Sequence, residues 1–246
     1  MIQNLHIFKN PEDLSNQFAD QLMSWVEQHT GNSFNLAISG GKTPDLLFSV
    51  LALKFADSLL WQKVHFWWVD ERMVPPSDPE SNFGVAQKLL FSQISIPEEN
   101  IHRIKGENAP EAEALYYSSL IQKNLPQQND WPVFDLILLG MGDDGHTASI
   151  FPDQMYLLNS DRICEVATHP QSGQKRVTLT GRAIAHAMKV CFLITGLNKA
   201  ERLSEIWGNP ERAKALPTAQ IQPENGLLMW FLDQAAANHI LQKQNK

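Results

Sequence analysis

FDLILLGMGDDGHTASIFP, residues 134–152, is the stretch on which the reading of the chain turns. Its first seven residues are nearly all apolar, the pattern of a strand covered on both faces inside a parallel sheet. A glycine-rich acidic loop carrying one histidine follows directly. KVCFLIT (189–195) repeats the apolar run and is again followed by a glycine, in TGLNKA (195–200). Two such strands imply that the chain between and around them supplies covering helices.

Working outward, FNLAIS (34–39), VHFWWVD (64–70), RICEVAT (162–168), RVTLT (176–180) and LLMWFLD (227–233) read as further strands. Helices are expected at 11–28, where Leu14, Phe18, Leu22 and Trp25 recur at helical spacing, and at 44–56, 110–123, 198–207 and 233–242. Short apolar runs alternating with amphipathic stretches predict βαβ units around a mostly parallel sheet. Residues 124–132 (NLPQQNDWP) read as a surface loop, and no repeat, low-complexity tract or long linker interrupts the chain. One α/β domain over residues 1–246 is expected.

The composition narrows the function. With 43% hydrophobic and 19% charged residues, the 246-residue chain is ordinary for a globular protein. A formal net charge of -7 argues against a nucleic-acid partner, since phosphate backbones demand a basic surface. No secretory leader pattern and no uncharged stretch of about 18 residues is present, so neither export nor a membrane is expected and the protein reads as cytoplasmic. Cys164 and Cys191 lie in apolar runs as small hydrophobes, without the spacing of a redox or zinc motif.

In open parallel sheets ligands gather beyond the carboxyl ends of the strands, so the residues after each strand carry the search. Ser39-Gly40-Gly41-Lys42-Thr43-Pro44 lies between a strand and a helix, with Thr43 expected as N-cap and Pro44 as first helical residue. Backbone amides at such a helix start form a phosphate cradle, although an ordinary tight turn has the same residues. Asp70-Glu71-Arg72 follows an apolar strand. Arg72 there can fork onto a phosphate or carboxylate and Asp70 can bind sugar hydroxyls, or the three charges simply mark the strand's exit into solvent.

His146 is the one histidine of eight placed in a glycine-rich acidic loop. It suits a positioned general base, with Asp144 orienting its ring. Asp143, Asp144 and His146 as metal ligands are disfavoured, because no further histidine or carboxylate cluster completes a coordination set at a recognisable spacing. Lys199 in TGLNKA would oppose a helix dipole, which an anionic ligand would explain, although a lysine that only faces solvent fits the same sequence. Lys175 and Arg176 are further basic candidates.

In order along residues 35–237, SGGKTP, DERMVP followed by SN, GMGDDGHTASIFP, RVTLT, TGLNKA and LP…WFLDQAA resemble the bacterial 6-phosphogluconolactonases, within the superfamily that includes glucosamine-6-phosphate isomerase/deaminase. The resemblance implies a three-layer Rossmann-like α/β fold and hydrolysis of 6-phospho-D-glucono-1,5-lactone with neither metal nor organic cofactor. It further implies that Gly40, Gly41, Thr43 and Lys199 hold the phosphate, that Arg72 and Arg176 add anion contacts, and that Asp144 and His146 do the chemistry. The partner is then a small sugar phosphate lactone, with no obligate protein partner indicated. The chain departs from the family pattern at Lys42, Asp143 and Gly181-Arg182.

Two other functions compete with this one. The isomerase/deaminase relatives carry a glutamate five residues after the histidine and a tyrosine after Asp-Glu, where this chain has Phe151 and Arg72. Its proton relay therefore lacks a member. A non-enzymatic sugar-phosphate sensor shares the general fold, but needs no activated histidine beside a phosphate cradle.

Overall fold

The computed structural model describes residues 4–244. The strands are β1 (Leu5–Phe8), β2 (Phe34–Ile38), β3 (Val64–Trp68), β4 (Asp70–Arg72), β5 (Ile101–His102), β6 (Gln127–Gln128), β7 (Trp131–Pro132), β8 (Leu136–Leu139), β9 (Cys164–Thr168), β10 (Lys175–Leu179), β11 (Lys189–Ile194) and β12 (Leu227–Asp233). The helices are α1 (Pro11–Gln28), α2 (Lys42–Phe55), α3 (Asn82–Ala86), α4 (Pro110–Asn124), α5 (Gly181–Ala185), α6 (Ala200–Gly208), α7 (Pro210–Ala213), α8 (Pro217–Gln220) and α9 (Asn238–Gln244). No helix among the described residues is long and apolar enough to cross a membrane.

A seven-stranded sheet, in the order β1-β12-β11-β8-β2-β3-β5, forms the centre, and every pairing in it is parallel. Helices flank it, so β2 and β8 are buried along their whole length, as their apolar sequences require. From β2 the chain steps outward through β3 to β5, whereas β8 leads the opposite way through β11 to β12. The sheet's winding therefore reverses between β2 and β8, and a crevice opens beyond their carboxyl ends. The loops after β2 and β8 meet at that crevice.

The first helix shows how closely local sequence controls an element. Asn10 accepts a hydrogen bond from the Asp13 N–H at 2.8 Å, Pro11 sits in the first turn, and Leu14, Phe18 and Leu22 are fully buried. Trp25 is only partly buried, its ring edge-on to Phe18. The stripe docks α1 on α2 and on the β1/β12 edge.

Four expectations need correction. The run VHFWWVD is not one strand: β3 ends at Trp68, and Asp70–Arg72 forms β4 in a separate antiparallel sheet, β4-β10-β9. RICEVAT and RVTLT supply the other two strands of that sheet and not of the central one. The last helix begins at Asn238 and not at 233, because Asp233 closes β12 and its carboxylate caps the turn through the Ala236 N–H at 2.7 Å. The 124–132 segment contains a small antiparallel hairpin, β6–β7.

Candidate active site

At the reversal point lies a cleft of about 530 Å³, a volume suited to a small metabolite. Ser39, Gly40, Gly41, Lys42, Thr43, Asp70, Arg72, His146, Arg176 and Lys199 all line it. Asp144 stands behind His146, outside the lining. The fold thus gathers these nominated residues from five separate segments, the loops after β2, β8 and β11 and the strands β4 and β10, and leaves out Lys175.

The cradle is built by α2. The helix begins two residues earlier than its sequence indicates: Gly41 is the N-cap, Lys42 the first helical residue, and Pro44 the third. Pro44 fits there because the first four N–H groups of a helix have no partner within it. Gly41 has φ of 113°, a conformation that favours glycine, and no side chain caps the helix. The amides of the first turn are left for a ligand. Thr43, expected to be the cap, instead shares a 2.8 Å hydrogen bond between its hydroxyl and that of Thr195, tying α2 to the loop after β11. Ser39 is buried and donates to the Leu138 carbonyl at 2.8 Å, which fastens the β2 loop to β8. Lys42 is exposed at the rim.

Asn82 was missed as an individual site residue; its only sequence signal was the Ser-Asn that follows the proline-rich loop. It lines the cleft, donates to the Asp70 carbonyl at 2.9 Å, and lies so close to Gly40 that a Cβ there would fall 1.9 Å from its Oδ1. Glu71 holds it in place: this buried carboxylate accepts the N–H groups of Arg72, Asn82 and Phe83, each at 2.8 Å, and the Ser81 hydroxyl at 3.2 Å. Burial pushes the Glu71 carboxyl up to about 7, against the pull of those N–H donors.

Arg72 and Arg176 are register partners in the antiparallel β4–β10 pair, so both project from one face of that sheet into the cleft. Arg72 donates to the Glu80 carbonyl at 2.7 Å; Arg176 reaches the Ser149 hydroxyl at 3.5 Å and lies over the Phe151 ring, 5.5 Å from its centroid. The Nε of each is buried without a partner. Among the described residues no carboxylate lies within ion-pair distance of either guanidinium. Burial lowers the Arg176 pKa, Asp70 opposes that shift, and the neighbouring charge of Arg72 adds to it. An anion between them would relieve both. Asp70 itself is buried and accepts the Ser149 hydroxyl at 2.6 Å. Lys175 points away and donates to Thr168.

His146 sits on the loop after β8. Its Nδ1 lies 2.6 Å from Asp144 Oδ1, which also accepts the His146 backbone N–H at 3.1 Å. Burial raises the Asp144 pKa, but the ring hydrogen bond and charge of His146 outweigh this and pull it down to about 2. An ionised Asp144 accepts from Nδ1–H, which leaves Nε2 with its lone pair free. Gly142 allows the approach, since a Cβ there would lie 2.2 Å from His146 Nδ1 and 2.7 Å from Asp144 Oδ1. Phe151 packs its fully buried ring against the imidazole at 4.8 Å between centroids. The chemistry available is proton transfer at an imidazole whose orientation Asp144 fixes, beside two arginines without carboxylate partners.

Lys199 lies in a single helical turn just ahead of α6, where it would oppose the dipole. The anion opposite it is internal: Asp143 pairs with its ammonium and accepts from Asn198 at 2.7 Å.

Residues 9–230 match the family model described as glucosamine-6-phosphate isomerases/6-phosphogluconolactonase. The chain is 47% identical over 203 residues to the 6-phosphogluconolactonase of Haemophilus influenzae, an alignment spanning 82% of this chain and 85% of that protein. Among solved structures, the devB protein superposes with a TM-score of 0.92 at 42% identity, covering 96% of this chain and 99% of its own. The 6-phosphogluconolactonase of Thermotoga maritima gives 0.81 at 28% identity, covering 94% and 99%. A family match over residues 9–230, together with 47% identity to a relative across 82% of the chain, means that the chain belongs to the glucosamine-6-phosphate isomerase/6-phosphogluconolactonase family.

Proposed function

We propose that this chain is a carboxylic ester hydrolase that converts 6-phospho-D-glucono-1,5-lactone to 6-phospho-D-gluconate, the second step of the oxidative pentose phosphate pathway. It acts in the cytoplasm as one domain over residues 1–246, with no metal or organic cofactor. The observation that carries this reading is the Asp144–His146 pair, Nδ1 engaged and Nε2 free, on the rim of a cleft with a helix-start cradle and two uncompensated arginines. The 6-phosphogluconolactonase relatives support the choice of substrate.

In the proposed reaction the phosphate rests on Gly40, Gly41, Thr43 and Lys199, while Arg72 and Arg176 offset its charge and that of the developing oxyanion. His146 Nε2 takes a proton from a water whose oxygen bonds to the lactone carbonyl carbon. Collapse of the tetrahedral intermediate breaks the bond from that carbon to the ring oxygen, and the imidazolium returns its proton to that oxygen. Asp144 holds the tautomer throughout. The lactone is an activated ester, so a covalent enzyme intermediate is unnecessary, and Ser149 is already committed to Asp70.

Phe151 disfavours the isomerase/deaminase alternative, because an apolar ring packs against His146 where that reaction needs a carboxylate. The deciding experiment supplies purified protein with freshly generated lactone and, in parallel, with glucosamine 6-phosphate. Hydrolysis above the spontaneous rate with no ammonia release is expected. Ammonia release, or no acceleration of lactone opening, would overturn the proposal.

A further inference from the structure

The cation expected to grip the substrate's phosphate already holds a carboxylate. Asp143 pairs with Lys199 and Asn198, and its backbone carbonyl accepts from Arg202 Nε at 3.2 Å. The Lys199 side chain is 18% exposed and that of Asp143 70%, so the lysine is largely enclosed while its partner faces solvent. Asp143 is also three residues from His146 on the β8 loop, and it lines the same cleft. One carboxylate therefore joins the loop that carries the imidazole to the loop after β11. Through Thr195 and Thr43 the latter is joined to the α2 cradle.

We propose that Asp143 is a positioning residue that stands in for an anion on Lys199: it holds the His146 loop in register and competes with the incoming phosphate for the same ammonium. The inference rests on the reading of Lys199 as a phosphate contact. Two effects of opposite sign follow. A dianion approaching Lys199 meets the repulsion of Asp143, so affinity for the phosphate stays below what the cations alone would give. The same contact fixes the distance between the phosphate cradle and Nε2, on which turnover depends. A residue that merely supported the fold would weaken binding and turnover together.

The test uses Asp143→Asn, Asp143→Glu and Lys199→Ala in the full chain. Inorganic phosphate is titrated by calorimetry, and kcat and KM are measured on the phosphorylated lactone. Asp143→Asn is expected to bind phosphate about 5-fold more tightly, the upper end for losing an ion pair whose carboxylate faces solvent, while its kcat falls. Asp143→Glu restores both values towards wild type. In the Lys199→Ala background Asp143→Asn no longer changes phosphate affinity. Phosphate binding by Asp143→Asn that is unchanged or weaker overturns the inference, as does tighter binding with unaltered kcat. Phosphate affinities that follow the expected pattern in a protein without lactone turnover would refute the proposed reaction and the positioning role together, and leave only the competition between Asp143 and phosphate for Lys199 standing.

Discussion

Gly142→Ala tests the imidazole's role without removing any group that takes part in the chemistry. The added methyl would lie 2.2 Å from His146 Nδ1, 2.3 Å from its Cε1 and 2.7 Å from Asp144 Oδ1, on the hydrogen bond between them. Ordinary contact needs more than 3 Å, so the ring must retreat by about 1 Å, a displacement able to cost about 10²-fold in rate. The backbone tolerates alanine, because Gly142 is not among the positive-φ residues. Stability should change little: losing the exposed dyad contact costs about 1 kcal/mol, and replacing glycine in a compatible conformation returns about 0.4–1 kcal/mol. The assay is kcat on the phosphorylated lactone after subtracting spontaneous opening, with thermal unfolding to check the fold. Combined with His146→Ala, the substitution should cost nothing further, since both act on one group. A folded Gly142→Ala protein with near-normal kcat would refute the imidazole's role as base.

His146→Ala should lower turnover by about 10²–10⁴-fold while leaving affinity for 6-phosphogluconate largely intact, as steady-state kinetics and product titration will report. Because Asp144 is pulled down to about 2, it stays ionised until the pH falls through that value; removing it by Asp144→Asn should slow turnover throughout the neutral range and not shift an acid limb into view. Glu71 has the opposite sign: pushed up to about 7, its contribution to stability is complete below about pH 4.5 and is lost as pH rises through 7. The unfolding free energy from denaturant titrations should fall across that window by up to roughly 3 kcal/mol, and this contribution should vanish in Glu71→Gln. Dialysis against EDTA should leave the rate unchanged, and restoration of a lost rate by one added metal would recast the Asp143, Asp144 and His146 loop. Burial pushes the Cys164 thiol up to about 12 and raises that of Cys191, so a thiol reagent should find no fast-reacting group in the native protein.

The central strands were legible because burial on both faces leaves a plain apolar signature, as in β8 and β11. β1 and β5 carried none. β1 is four residues at the sheet's edge with an exposed middle, and β5 is two residues long. β9 and β10 are neighbours in sequence and were legible as runs, whereas the pairing of β10 with β4, about 100 residues away along the chain, leaves no trace in local periodicity. The same limit hid Asn82, whose place against Gly40 is set by the four donors gathered on Glu71. The start of α2 was misjudged because Thr43-Pro44 has the composition of a cap, whereas Gly41 takes that place through backbone conformation alone.

Phe151 ties the packing around the imidazole to the state of the arginine wall. Its ring is fully buried, with His146, His169 and Arg176 packed around it. A glutamate introduced here alone would not create a ring-opening acid for an amino sugar. It would bury a charge beside Arg176 and draw that guanidinium from the cleft, so the first mutational step away from lactone chemistry would forfeit anion binding before gaining a new reaction. In this chain the aromatic position and the arginine wall are therefore coupled, and a substitution at one is felt at the other through packing and charge.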